Sequence, residues 1–252
     1  MIKGARLPRE LARPLGVLLF SIGLLLGMAL FGAIVWADFE AVLFNPGLQQ
    51  DAPLRSLRCP VMITRSETGT VTASVSNPLD RSTERYVRAH ITDGYVTLMR
   101  EVNRSVPLAS GERQRLAWEV TADDAAFERF ILVKVVLRGR YPFPSRQGTC
   151  GILVVGVPYL TGEQVFGLAF GASLLSMAGG LVLWLRASRP LGQRKRQAAR
   201  AMGALGGSVL LGTTVGLVGW WLPGLVIFLI TVLGIGVMLG HFLGEVGGEP
   251  IA

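Results

Sequence analysis

The sequence predicts a membrane protein: an α-helical bundle of four transmembrane helices, with an all-β sandwich domain inserted between helices 1 and 2. Three observations carry this. Half of the 252 residues are hydrophobic and only 17% are charged, with a mean hydropathy of +0.47; a soluble chain needs more charge to cover its surface. Residues 14–37, 165–185 and 201–244 contain no Asp, Glu, Lys or Arg. Between the first two of these runs charge returns, and apolar residues change from helical spacing to alternation.

In chain order, 1–14 reads as a basic tail, with Lys3, Arg6, Arg9 and Arg13 against Glu10. Residues 15–37 form the first span, long enough to cross about 30 Å of hydrocarbon. A cleaved signal peptide is the competing reading, with a site after Ala37, but its apolar core would be only about 7–15 residues. The second span is 164–185. The basic segment 186–200 follows, carrying Arg186, Arg189, Arg194, Lys195, Arg196 and Arg200 with no acid. Spans three and four, 201–221 and 222–243, are joined by a turn at Leu222, Pro223 and Gly224, and 244–252 is a tail.

Basic residues flank spans on the cytoplasmic side. The tail and the 186–200 segment are separated by two spans and therefore share a side. This places both termini inside a cytoplasmic membrane, bacterial in type, and 38–163 outside it. The net charge of +8 lies mainly beside the spans, so it reads as a topology signal. Arg194, Lys195 and Arg196 are set to meet lipid head groups, and nucleic acid is not an expected partner.

Within 38–163, the expected strands are 61–65, 71–75, 86–92, 95–99, 116–120, 131–137 and 152–155, preceded by an extended connector over 39–57. Asn77, Pro78, Leu79 and Asp80, then Asp93 and Gly94, Ser110 and Gly111, and Arg138 and Gly139 supply the turns. About seven short strands at this spacing suggest a sandwich. The run from Val71 to Asp80, a strand followed by an Asn-Pro-x-Asp turn, resembles the second strand of bacterial immunoglobulin-like modules, which implies an immunoglobulin-like domain. The order of parts is also similar in outline to the claudin-type tetraspan proteins. Their closely spaced cysteines and Trp–Gly-Leu-Trp signature are absent, however, and Trp118 is the single tryptophan of the outer domain.

Both cysteines, Cys59 and Cys150, lie in the outer domain, where a disulfide can form. The bond would close a loop of about 90 residues and contribute roughly 2–4 kcal/mol. Two cysteines and a distant His90 make a poor metal set, and no metal or cofactor is expected.

Motifs of catalysis are missing: there is no nucleophile elbow, HExxH, Walker loop or dinucleotide fingerprint. Asp123 and Asp124 read as a solvated turn or a helix start. His241 is the one titratable residue inside an apolar run. Single membrane histidines can hold haem or a pigment, although a hydrogen-bonded interfacial histidine is commoner.

Glycines spaced along the spans let helices approach closely: Gly23 and Gly27 in span one, Gly167 and Gly171 in span two, Gly203, Gly207, Gly212 and Gly216 in span three, and Gly236, Gly240 and Gly244 in span four. The expected function is a non-catalytic membrane subunit with a structural, assembly or binding role, packed against other membrane subunits or copies of itself. A transport or channel component and a pigment- or haem-binding subunit of an electron-transfer complex are the alternatives.

Overall fold

The structure is a computed structural model that describes residues 9–44, 52–139, 144–190 and 192–246, with side chains from 11 to 238. Among the described residues, four helices, α1 (Arg9–Leu43), α2 (Gly162–Ala187), α3 (Gln193–Leu217) and α4 (Trp221–Val246), accompany eight strands that all fall between α1 and α2 in the chain. The chain divides into a helical unit, Met1–Gly32 with Gly167–Ala252, and a β unit, Ala33–Phe166.

Among the described residues, three helical stretches are long and apolar enough to cross a membrane: Leu11–Leu43, Gly162–Ala187 and Trp221–Met238, with mean hydropathies of 2.5, 1.9 and 2.3. α3 is not among them, because it starts with the basic run and its apolar part covers only 201–217. Much of the segment expected as a basic loop is therefore helix. The turn between α3 and α4 also differs from expectation. It falls at Val218 and Gly219, where Gly219 takes a left-handed φ of 80°, as glycine does beyond a helix end. Pro223 lies instead in the first turn of α4, where a missing N–H leaves no intrahelical bond unmade.

In the β unit, β1 (Ala52–Pro53), β2 (Met62–Thr64), β4 (Thr83–Asp93), β5 (Tyr95–Leu108), β7 (Phe130–Leu137) and β8 (Arg146–Val155) form one sheet. Its order is β1-β8-β7-β4-β5, with β2 also on β8. β3 (Gly69–Ser76) and β6 (Arg113–Val120) form a second, antiparallel sheet. Val71, Ala73 and Val75 of β3, with Leu116, Trp118 and Val120 of β6, meet Val87, Ala89, Ile91, Val133, Val135 and Ile152 in one core. The molecule thus contains a two-sheet β domain, and the alternation that predicted β3 and β6 is the pattern of their burial.

The connector expected over 39–57 is partly structured. α1 continues to Leu43, and β1 pairs with β8. The helix persists because its last turns have a surface to cover. Ala41 and Phe44 pack on Leu132, the face of β7 turned away from the sandwich core. Lys134, 1% exposed on that same face, donates from Nζ to the carbonyl of Phe44 at 3.4 Å. This places a cation at the end of a helix whose own last turn has none. A Cβ on Gly151 of β8 would collide with the carbonyl of Ala37, and the Gly151 N–H donates to Asp38 Oδ1 at 3.2 Å.

Cys59 and Cys150 form a disulfide with a Cα–Cα distance of 6.5 Å, 91 positions apart. Asp124 caps a 3-10 turn at Ala122–Asp124, accepting from the Thr121 N–H at 2.9 Å, and pairs with Arg100 at 3.0 Å. The acidic pair is accordingly a helix start. Asn77, 1% exposed, donates from Nδ2 to the carbonyls of Arg81, Leu108 and Ala109 and accepts from the Leu79 N–H. One turn residue so ties the β3–β4 connection to the β5–β6 turn. Replacing Asn77 with Ala leaves buried carbonyls unmet, and thermal unfolding should show a loss of about 2–3 kcal/mol.

His90 is 3% exposed, with Nδ1 3.0 Å from Met99 Sδ. Burial pushes its imidazole below the ordinary 6.5, against the smaller upward pull of Glu101. The folded form then binds its proton at lower pH than the unfolded chain, so this contribution to stability holds above about 6.5 and is lost as pH falls below it. Melting curves from pH 7.5 to 5 should show His90→Gln losing less stability on acidification than the parent.

Candidate functional site: an arginine-lined groove

β1 and β2 share one edge of β8, at 146–147 and 153–155 respectively. Between them the chain leaves that edge and crosses to β3, where Arg58 bridges to Thr72. Ser56 Oγ anchors the crossing by donating to the Ser74 carbonyl at 2.7 Å. This strap, with the ends of β3 and β7 and the starts of β4, β6 and β8, encloses an open groove of about 810 Å³. Arg55, Arg58, Arg85, Arg113, Arg115 and Arg146 line it, and no acid does among the described residues.

Arg58, Arg85 and Arg115 are held by the fold. Arg113 and Arg115 lie two apart on β6 and so share a face. Arg115 Nη2 reaches across to donate to Thr72 Oγ1 at 3.2 Å. Arg58 Nη1 donates to the carbonyls of Arg55 and Leu57 at 2.9 and 2.8 Å, which rigidifies the strap. Arg85, on β4, is only 4% exposed. Burial, then the charge of nearby Arg146, pushes its guanidinium below the ordinary value. The ion pairs among the described residues, Arg65–Glu128, Arg88–Glu101 and Arg100–Asp124, all lie elsewhere.

Guanidinium forks match the oxygens of phosphate, sulfate and carboxylate in a planar, bidentate way. Ser56, Thr72, Ser74 and Ser76 add hydroxyl groups to the lining. The set is suited to holding an oxyanion.

Sequence reasoning missed this site because its residues are spread from 55 to 146 and converge only through the topology. One signal was available: of 25 cations only Lys3, Lys134 and Lys195 are lysine. Such a preference for arginine points to directed contacts rather than to solubility alone.

The glycines separate into two groups. Gly23 and Gly27 lie where α1 meets α2: a Cβ on Gly23 would stand 2.7 Å from Met177 N and Ser173 O, and one on Gly27 2.6 Å from Ser173 Oγ. Ser173 and Ser176 donate to the carbonyls of Gly23 and Leu19 at 2.7 Å. Gly16 and Gly180, which spacing did not single out, extend this antiparallel seam against Trp184 and Phe20. A Cβ on Gly212 would collide with the ring of Phe31, which also meets Phe228 edge-on at 5.5 Å. Gly216 is buried in α3. At Gly167, Gly171, Gly203, Gly207 and Gly236 a Cβ would meet nothing within 4 Å among the described residues. Gly240, His241 and Gly244 fall where side-chain surroundings lie outside the described residues. Arg194 and Arg196 are exposed in the first turn of α3, and Lys195 donates to the Ser188 carbonyl at 3.4 Å.

No family model matches the chain, and no curated protein matches it. Among solved structures, the CARDB domain of the PF1109 protein from Pyrococcus furiosus, an immunoglobulin-like fold, is 15% identical with a TM-score of 0.31. That match covers 39% of this chain and 84% of the domain. A Bacteroides uniformis beta-glucuronidase is 18% identical with a TM-score of 0.29, over 38% of this chain. A Paenibacillus cycloisomaltooligosaccharide glucanotransferase is 14% identical with a TM-score of 0.32, over 43%. The chain spans only 12% and 15% of those two enzymes, and likenesses this distant say nothing of chemistry here.

The two groups of glycines make opposite predictions for the full chain in detergent. Gly23→Leu forces α1 and α2 apart and should lower the melting temperature by the equivalent of about 3 kcal/mol or more. Gly171→Leu points into open space and should leave the monomer's melting within about 0.5 kcal/mol.

Proposed function

We propose that the protein is a non-catalytic membrane subunit that presents an immunoglobulin-like domain outside the cytoplasmic membrane and uses the arginine groove to bind an anionic partner. The observation that carries this is the convergence of six guanidinium groups on one groove with no acid among its described lining. Assembling like charges is unfavourable unless something of opposite charge is held there.

The membrane part of this reading is a bundle of four spans with both termini in the cytoplasm. α3 counts as the fourth span because its apolar part packs on α1 through Gly212 and Val209. Its basic first turn places positive charge at the end of a helix dipole that disfavours it, an arrangement that anionic head groups relieve. The glycine faces with open space around them are surfaces for a neighbouring subunit or a second copy.

Six arginines spread over the lining of one groove suit a ligand with several anionic groups. Inorganic polyphosphate is a probe of that class. Titrated with the full chain in mild detergent, a fluorescent polyphosphate should bind saturably, and more weakly as salt is raised. Reversing Arg113, Arg115 and Arg146 to Glu should weaken binding by about 100-fold or more, since each charge-assisted contact carries about 1.5–3 kcal/mol. Absence of binding, or equal binding by the triple variant, would overturn the proposal.

A further inference from the structure

The end of the β unit opposite the groove carries a second surface. The strand registers define that end. β8 finishes at Val155 and the chain passes into α2 at Gly162. Leu153 pairs with Phe130, so the start of β7 is at this end, and Val133 pairs with Ile91, so the β4–β5 hairpin is there too. The groove residues come instead from the start of β4, the end of β7 and the start of β8.

Large apolar side chains are left uncovered here. Tyr159 is 100% exposed, Phe127 66%, Tyr95 60% and Leu98 54%. Tyr95 and Phe127 meet edge-on at 6.5 Å, and the Phe127 N–H donates to the carbonyl of Gly94 in the hairpin turn. The backbone is also unusual at this end. Phe127, Glu128 and Tyr159, the non-glycine residues with left-handed φ among those described, all lie here, at 53°, 57° and 65°. For bulky residues that conformation is disfavoured; at Phe127 and Glu128 it makes the tight turn closed by the Arg129 N–H on the Ala126 carbonyl, and the Phe127 ring is left outside. Arg129 stands exposed on the same end, beside the exposed ion pair of Arg65 and Glu128.

We propose that this rim, formed by Tyr95, Leu98, Phe127 and Tyr159, is immersed in the lipid head-group layer of the bilayer that α2 enters. Tyr159 lies just ahead of Gly162, where a helix long and apolar enough to cross a membrane begins. The other three residues share its end of the sheet. Aromatic side chains are the ones favoured at that depth, with an apolar ring and a polar edge or neighbour, and Arg129 beside them can meet a phosphate group. The inference goes beyond the groove's role and stands without it, since different residues at the opposite end carry it.

The test uses the full chain reconstituted in phosphatidylcholine–phosphatidylglycerol liposomes. Single spin labels are placed through Tyr95→Cys, Phe127→Cys and, as a control at the groove end, Ser110→Cys. The native cysteines are joined to each other and stay unlabelled, which a non-reducing gel verifies. Collision rates with oxygen, which partitions into lipid, and with a nickel chelate, which stays in water, are then compared by electron paramagnetic resonance. The expected result is oxygen-dominated relaxation at 95 and 127 and nickel-dominated relaxation at 110. A nickel-dominated signal at either 95 or 127, matching the control, would overturn the proposal. Two rim positions are used so that any local adjustment at the strained Phe127 does not decide the outcome alone.

Discussion

The β unit depends on the close approach of the last turns of α1 to β7 and β8. Gly151 makes the approach possible, because any side chain there would displace Ala37. Once the helix is that near, the outer face of β7 can be apolar, and every residue from Ile131 to Leu137 is buried. Strands covered on both faces are continuous apolar runs rather than alternating ones. Lys134 is the exception within the run, and its ammonium is directed to a helix-end carbonyl instead of into the sandwich core. Cys150 is the residue before Gly151, so the disulfide to Cys59 fixes the strap at the point where helix and sheet are closest.

A matching constraint governs the exit of the chain. A Cβ on Gly162 would collide with the backbone of Met62, and Glu67 accepts from the Gly162 N–H at 2.6 Å. A carboxylate at the first residue of α2 meets the unsatisfied donors of that helix end. Entry and exit of the β unit are therefore both made by backbone-to-backbone packing at a glycine. In the helical unit, glycine does a related job through serine: Ser173 and Ser176 turn the narrow gap between α1 and α2 into hydrogen bonds.

Much of this was legible in the sequence, for reasons that individual elements make plain. β3 and β6 alternate because one face meets the core and the other meets water. The cysteine pair was legible from its count and from both residues falling in the stretch between the first two spans. The second half of β5 was not, since it is the sheet's edge strand and its side chains up to Ser105 are almost all exposed or half-covered. The final turns of α1 were hidden by Asp38 and Glu40, which end the apolar run without ending the helix. Asp38 is used by Gly151, and Glu40 accepts from the Trp36 indole at 2.8 Å. The helix-to-helix turn was misplaced because a proline looks like a stop wherever it falls, whereas only the backbone reveals that it sits inside a first turn. The groove was invisible for a different reason: it is a property of strand order, and neighbouring arginines in space are distant in the chain.

The parallel pairing of β2 with β8 has a mechanical consequence. A pull applied at the groove end and resisted at α2 would run lengthwise along β8. Its ladders with β2 and β7 would then be loaded in shear, all bonds sharing the force, instead of being unzipped one at a time. The cross-link between Cys59 and Cys150 lies across that load path and joins the strap to β8 beside the ladder. The β unit is thereby stiff along the direction of β8.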